Sequence, residues 1–288
     1  MSGHVTVLDS SLFGTIFGHD EMRDIMSYEA YTARLVEVEV AVARVEGALG
    51  IIPKAAADDI ERLASAKKLD LEQLRRDNEL VGLPIWGLTR QLTNMCGDSG
   101  KFVHWGPNTH DIMDLAVTLQ IKAAFNLLER QINDVRDALV ALACHHRNTI
   151  MVSRTHLQQA NPTTFGYKAA VWLFSMDRHM ERLQQLRPRV LMAQMGGASG
   201  SLASLGSGAG NFHNGGDRKE ARKHDGLRVL AALAKDLSLN EPPIVWHAVR
   251  DGIAEVVSFL AMLGGSLGKI AYDVRARKSS AAHYLLFS

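Results

Sequence analysis

A very long helical pattern limits what this chain can fold into more than any other feature. Between Asp111 and Asn148, apolar residues recur mostly at steps of three or four, which places them on one face of a helix. At about 1.5 Å per residue, such a helix runs on the order of 55 Å. This length favours an extended bundle of long helices. The apolar positions are Ile112, Leu115, Leu119, Ala123, Leu127, Ile132, Val135, Leu139 and Leu142.

The other segments also show helical spacing, and almost nothing in the first hundred residues alternates with period two. A helix over Glu21–Leu49 has an apolar face that runs from Tyr28 to Leu49 and ends at Gly50, ahead of Pro53. Striped helices of this length bury more than one face, so we expect an all-α, self-associating bundle. Further helices are predicted over 53–66, 69–78, 85–96, 162–191, 218–237 and 246–274.

Turn signals suggest a boundary between two helical domains. The cluster Gly97–Gly100 approaches this boundary. We therefore predict an N-terminal helical domain at residues 1–105, followed by a central long-helix domain.

Composition excludes several classes of function. A net charge of +1 gives no support for binding to nucleic acid or to an anionic membrane. Cys96 and Cys144 lack metal-ligand spacing and are too few for a disulfide framework, which favours a reducing cytoplasm. The N-terminus shows no signal-peptide pattern. The apolar stretch Val256–Leu267 is too short and too rich in small residues for a membrane span, and no motif predicts a metal or a cofactor.

Two polar clusters precede long helices. Residues 154–168 contain His156, and Asn161 and Pro162 suit the N-cap and first position of the next helix. The second cluster, His104–Asp111, comes before the longest helix. A histidine in such a place is either structural or, because imidazole titrates near neutral pH, a general acid or base.

The stretch Gly196–Ser201 has two interpretations that spacing alone does not separate. It is either a flexible connector or a nest of backbone N–H groups and hydroxyls that binds an anion. The nearby run Gly206–Gly210 lacks the strand-to-helix context of a dinucleotide-binding turn.

Four ordered stretches resemble the fumarase/aspartase superfamily. Residues 154–166 are similar to its Thr-His-x-Gln region, and residues 104–111 to its His-x-Gly-x-Thr-Ser-x-Asp region. Residues 196–206 and 246–251 resemble its bacterial 3-carboxy-cis,cis-muconate cycloisomerases in particular. The adenylosuccinate lyases are the rival branch, but Val81–Trp86 lacks the histidine of their Thr-Arg-His-Asp motif.

This resemblance implies an all-α homotetramer with a central helical bundle and with active sites where three subunits meet. It also implies a small succinyl- or fumarate-like polycarboxylate as substrate. In such lyases a proton is removed beside a carboxylate and the β-substituent leaves, whereas the cycloisomerases make or open a lactone ring. Several donors must then stabilise an anion that gains charge in the transition state.

Transferred residue by residue, the resemblance implies that His156 is the catalytic acid/base. Asp111 and Ser199 would give structural support, with Asp111 holding a loop or His156 in place. The substrate-binding residues would be His104, Asn108, Thr109, Thr155, Gln158 and Arg250.

Two departures from the superfamily pattern affect the expected function. Asn108-Thr109, followed by His110, replaces the usual Thr-Ser pair. After Val274 the chain also lacks the Gly-Ser-Ser-x-Met-Pro-x-Lys-x-Asn loop with its serine base. The resemblance therefore implies a truncated chain, with an incomplete central long-helix domain at residues 106–274, an aberrant tail at 275–288 and no C-terminal domain. We expect its activity to be impaired. Three alternatives stay open: a C–N lyase like adenylosuccinate lyase, an epimerase of succinyl compounds, and a non-catalytic helical oligomer.

Overall fold

A computed structural model describes residues 6–8, 10, 12–156, 158–205 and 225–285, without the side chains of Ser204 and residues 276–285. The predicted start of a helix at Arg218, the run Gly206–Gly210 and Leu157 lie outside these residues. The helices are α1 (Gly14–Phe17), α2 (Asp20–Met26), α3 (Tyr28–Ala48), α4 (Lys54–Leu63), α5 (Leu71–Val81), α6 (Pro84–Cys96), α7 (Thr109–His145), α8 (Phe165–Val190), α9 (Asp225–Asp236) and α10 (Asp251–Leu285). One antiparallel hairpin joins β1 (Ile150–Thr155) to β2 (Gln158–Thr164).

The prediction of an all-α fold is confirmed, since helices make up most of the described chain and the hairpin is a small addition. The chain divides into two compact units. Among the described residues, those within 1–124 and 191–249 form the first unit, and those within 125–190 and 250–288 form the second. The domain boundaries at residues 105 and 274 stay predictions.

The core of the first unit is built around α3. Leu35, Val38, Val42 and Val45 on this helix are buried, as the helical spacing predicts. The prediction of one continuous helix over Glu21–Leu49 is wrong, because Ser27 separates α2 from α3. Its hydroxyl accepts a hydrogen bond from the N–H of Ala30 at 3.0 Å and so caps the start of α3. Tyr28, at that start, is exposed rather than part of the core.

The core of the second unit lies where α8 packs against α10. Trp172, Met176 and Leu183 of α8 are buried, and so are Phe259 and Leu263 of α10. These residues recur at helical spacing, so each helix turns one apolar stripe toward the other.

The helix predicted to begin at Pro162 begins instead at Phe165. Asn161 and Pro162 belong to β2, where Pro162 lies opposite Val152 and the hydroxyl of Ser153 donates to the carbonyl of Asn161 at 2.5 Å. A two-stranded sheet has only edge strands, so it tolerates the missing N–H of a proline. The cap of α8 is Thr164, whose Oγ1 accepts from the N–H of Tyr167 at 3.2 Å.

The last helix also begins later than predicted. α10 starts at Asp251, whereas Trp246 lies in the first unit, where its indole N–H donates to the carbonyl of Ala193 at 2.8 Å. By length and apolar composition alone, Asp251–Arg275 could cross a membrane, which is weak evidence when it comes from a single helix. Few of these side chains are buried within one copy of the chain.

Candidate active site

The buried carboxylate of Asp111 connects two segments of the first unit. Its Oδ2 accepts from the N–H of Asn108 at 2.8 Å, at the start of α7. The same carboxylate accepts from the N–H groups of Gly196 and Gly197, each at 2.8 Å. Because charge-assisted hydrogen bonds are the stronger kind, Asp111 fixes the glycine-rich segment against the helix start.

The glycine-rich segment 196–201 is an ordered turn in this structure. Gly197 and Gly200 have positive φ angles of 68° and 72°, which favour glycine. A Cβ on Gly196 would come within 2.9 Å of Val245. The N–H groups of Gly196 and Gly197 are taken by Asp111, so these two donors do not form an anion-binding nest. The hydroxyls of Ser199 and Ser201 are exposed and lie 2.8 Å apart.

His104 lies in the loop before α7, in the left-handed backbone region with φ of 58°. Its Nδ1 is 2.7 Å from Oε1 of the buried Glu39 of α3. Burial lowers the pKa of the imidazole, but the charge and hydrogen bond of Glu39, with the charge of Asp111, raise this pKa above its ordinary value. His104 therefore tends toward the cationic form, which suits binding of a carboxylate.

Polar side chains line the start of α7 next to the glycine-rich segment. Asn108 and Thr109 are partly buried, and the amide of Asn108 donates to the carbonyl of Ala198 at 3.4 Å. The exposed ring of His110 lies edge-on to that of His247, with centroids 5.9 Å apart. The first unit thus brings His104, Asn108, Thr109, Asp111 and Ser199 into one region. Amide, hydroxyl and imidazole donors of this kind can bind carboxylate oxygens.

The second unit carries Thr155, His156, Gln158 and Arg250. Thr155 and Gln158 are directly paired across the hairpin, and His156 lies in the turn between them with φ of 48°. All three side chains are exposed. Arg250 is exposed immediately before α10, where its carbonyl accepts from the N–H of Ala254 at 3.0 Å.

Sequence reasoning missed Glu39, and it included His247 only within the stretch 246–251, without a role. Glu39 lies within a nearly continuous apolar run, where an acid is easily taken for a solvent-facing residue. The available signal was the pair Glu39 and Glu46, seven residues apart, since this spacing places both on one helical face. Within the part of the chain that the structure describes, no group of three or more His, Cys, Asp or Glu side chains could hold a metal ion.

Comparisons with known proteins add the following similarities. A protein family described as "Lyase" matches residues 16–285. The crystal structure of a fumarate lyase from Mesorhizobium sp. BNC1 is 48% identical, with a TM-score of 0.80 over 90% of this chain and 57% of that one. A 3-carboxy-cis,cis-muconate lactonizing enzyme from Pseudomonas putida is 34% identical, with a TM-score of 0.83 over 92% of this chain and 57% of that one.

A further relative is an N-acetyl-S-(2-succino)cysteine lyase from Dickeya dadantii. It is 36% identical over 95% of this chain and 56% of its own length. The chain therefore spans a little over half the length of each of these proteins. The fold that the chain shares with the two crystal structures agrees with the long-helix bundle of the fumarase/aspartase type predicted from the sequence.

Proposed function

This chain belongs to the lyase family, within the fumarase/aspartase superfamily, and on that premise we propose that it acts as a lyase or cycloisomerase on a polycarboxylate. The observation that carries this proposal is the set of donors at the start of α7. His104, Asn108 and Thr109 lie beside a segment that Asp111 holds in place. Donors fixed before the reaction stabilise an anion without reorganising as its charge grows.

Backbone strain supports the assignment of the two histidines. Four non-glycine residues of the described chain have positive φ: His104, His156, Leu202 and Ser238. Such backbone costs on the order of 1–3 kcal/mol per residue and concentrates at functional sites. Two of the four are the histidines that the sequence motifs assign to the reaction.

The proposed reaction breaks a C–H bond beside a carboxylate. Its electron pair first gives a doubly charged aci-carboxylate and then forms the carbon–carbon double bond. The bond from the β-carbon to its substituent breaks, and that electron pair leaves with the substituent. In the superfamily pattern, the serine of the loop expected after Val274 takes the C–H proton, and His156, as its acid/base partner, gives a proton to the leaving substituent. Thr155 and Gln158 orient His156 or hold a carboxylate. Arg250 supports substrate binding in the same unit.

The finer proposal for the substrate is a carboxymuconate-type compound that undergoes lactonization. In that case the steps above run in reverse: a carboxylate oxygen of the substrate adds to the conjugated double bond to give the aci-carboxylate, which then takes a proton at carbon. It rests on residues 196–206 and 246–251, whose pattern is that of the cycloisomerases, and on similarity to a lactonizing enzyme. A C–N or C–S lyase of a succinyl compound is the second candidate, favoured by similarity to the succinocysteine lyase.

We place the enzyme in the cytoplasm, with no requirement for a cofactor.

Self-association, as a homotetramer, is the finer proposal for partners. Apolar side chains at helical spacing are exposed on two helices of the second unit. They are Tyr167, Val171 and Phe174 of α8, and Val257, Leu260, Leu267 and Val274 of α10. A stripe this long on a bundle helix is typical of an interface between subunits.

The test is an assay of three polycarboxylates: 3-carboxy-cis,cis-muconate, N-acetyl-S-(2-succino)cysteine and adenylosuccinate. Absorbance of the conjugated double bond follows each reaction. The 288-residue chain is compared with a version continued after Val274 by the C-terminal part of the Mesorhizobium fumarate lyase. We expect the extended version to convert at least one compound and the shorter chain to convert it more slowly. Absence of turnover in both folded proteins would overturn the proposal.

A further inference from the structure

Two glutamates of α3 are buried about two helical turns apart. Glu39 is 2% exposed and Glu46 is 0% exposed. An ionised carboxylate taken out of water is strongly destabilising unless a cation or hydrogen bonds offset its charge. Each glutamate therefore needs either a proton or a cationic partner.

Glu46 favours the protonated form. Within the described residues, neither of its carboxyl oxygens has a hydrogen-bond partner. Burial, and then the charge of Glu39, raise the pKa of Glu46 well above its usual value. Of the two glutamates, Glu46 is therefore the one that favours the neutral form.

Glu39 has His104 as its partner. Its Oε1 lies 2.7 Å from the imidazole Nδ1, while its Oε2 is buried with no hydrogen-bond partner in the described chain. His104 also holds a positive φ, and the charge of Asp111 on α7 acts on the same ring. The loop backbone and the Glu39 carboxylate thus fix the imidazole together.

We propose that Glu39 is a positioning residue for His104. Its carboxylate accepts the Nδ1–H, fixes the orientation of the ring and leaves Nε2–H as the donor to a substrate carboxylate. A carboxylate behind a functional imidazole sets tautomer and direction in this way in other sites. This inference rests on the proposed function in one respect, the binding of substrate by His104.

The first measurement needs no turnover. Deuterium exchange at Cε1 of His104 in the 288-residue chain, measured against pH by mass spectrometry, gives the pKa of this histidine. Fragment ions separate it from His110. In Glu39→Gln the side chain keeps its shape but loses its charge, so we expect a lower His104 pKa than in the wild type.

Glu46→Gln is the matched control, because it changes a buried glutamate of the same helix whose raised pKa favours the neutral form. We expect it to leave the His104 pKa unchanged. An unchanged His104 pKa in Glu39→Gln would overturn the inference. An equal fall in both variants would also overturn it, since that would indicate a general effect on the core. Thermal unfolding of each variant shows that the comparison is made on folded protein.

The second measurement links this pair of residues to the ligand. Tricarballylate, a saturated tricarboxylate, is titrated into wild type and both variants in a calorimeter. We expect Glu39→Gln to weaken binding roughly tenfold or more, since hydrogen bonds to charged groups are stronger than neutral ones, and Glu46→Gln to bind as wild type does. Equal binding by Glu39→Gln and wild type would overturn the positioning role. Absence of binding by wild type would count against the proposed function, while the exchange result still decides whether Glu39 controls His104.

Discussion

The carboxylate of Asp111 accepts the backbone N–H of Gly197 at 2.8 Å, although 86 residues separate the two in the chain. The neighbouring oxygen accepts from Gly196, so one buried side chain orders the glycine-rich segment beside the start of α7. Any donor at this helix start depends on that arrangement.

Replacement of Asp111 by alanine should lower the free energy of unfolding by about 3–5 kcal/mol. Three backbone N–H groups lose their acceptor, and each buried donor left unsatisfied costs about 1–3 kcal/mol. Urea unfolding measures the change. The exposed Asp98 gives the control, since the free energy of unfolding of Asp98→Ala should stay within about 0.5 kcal/mol of the wild-type value. A similarly small effect at Asp111 would show that its carboxylate does not hold the segment.

Thr164→Ala tests where α8 begins. Loss of the hydroxyl that caps the N–H of Tyr167 should cost about 1 kcal/mol of stability. Asn161→Ala should have little effect, because Asn161 is exposed on β2 and its bonded group is the backbone carbonyl. Chemical unfolding of both variants checks this. If Asn161→Ala proved the more damaging change, the helix would begin at Pro162 after all.

Much of the fold follows from the spacing of apolar residues. α7 and the core face of α3 were predictable because a long helix repeats the same signal many times. The hairpin was not, since Asn161-Pro162 is a strong local signal for a helix start. Pairing of β2 with the residues of β1 prevails over that preference, and a pairing between segments is not visible in either one alone.

The candidate site was predictable only in part, for a similar reason. Ordered motifs identify His104, Asn108, Asp111 and His156 as candidates. The contact between Glu39 and His104 joins residues 65 positions apart, and no spacing rule reaches so far. The role of each residue in catalysis stays a prediction.

Glu46 should make stability depend on pH. Its pKa in the folded protein is raised, so above the ordinary value of 4.5 the folded state holds a proton that the unfolded state has released. The free energy of unfolding should therefore decrease as pH rises from that value through the raised pKa. Glu46→Gln should remove this decrease, so the free energy of unfolding of the variant should rise relative to that of wild type as the pH approaches about 8.

Urea unfolding at several pH values between about 5 and 8 measures this difference. The exposed Glu181 supplies the comparison, since Glu181→Gln should follow the wild-type curve. If the difference in free energy of unfolding between Glu46→Gln and wild type stayed constant over the whole pH range, the account would be contradicted.

The exposed apolar stripes of α8 and α10 should control assembly. Phe174→Asp and Leu260→Asp each place a charge on a surface that we propose is buried between subunits, which is strongly unfavourable. Light scattering after size exclusion should show a shift from four copies toward the 31.6 kDa of one chain. Leu80 on α5 is an equally apolar, exposed residue, and Leu80→Asp should leave the mass unchanged. Tetramers formed by all three variants would exclude these stripes as the interface.

The central claim is tested most directly by the rate at which His156→Ala, made in the extended protein, converts the preferred polycarboxylate. General acid–base catalysis contributes roughly 10²–10⁴-fold, so kcat should fall by about that factor while helicity is retained. His145, an exposed histidine at the end of α7, is the matched control, and His145→Ala should keep the wild-type rate. A wild-type rate in His156→Ala would contradict the account and remove this histidine from the mechanism.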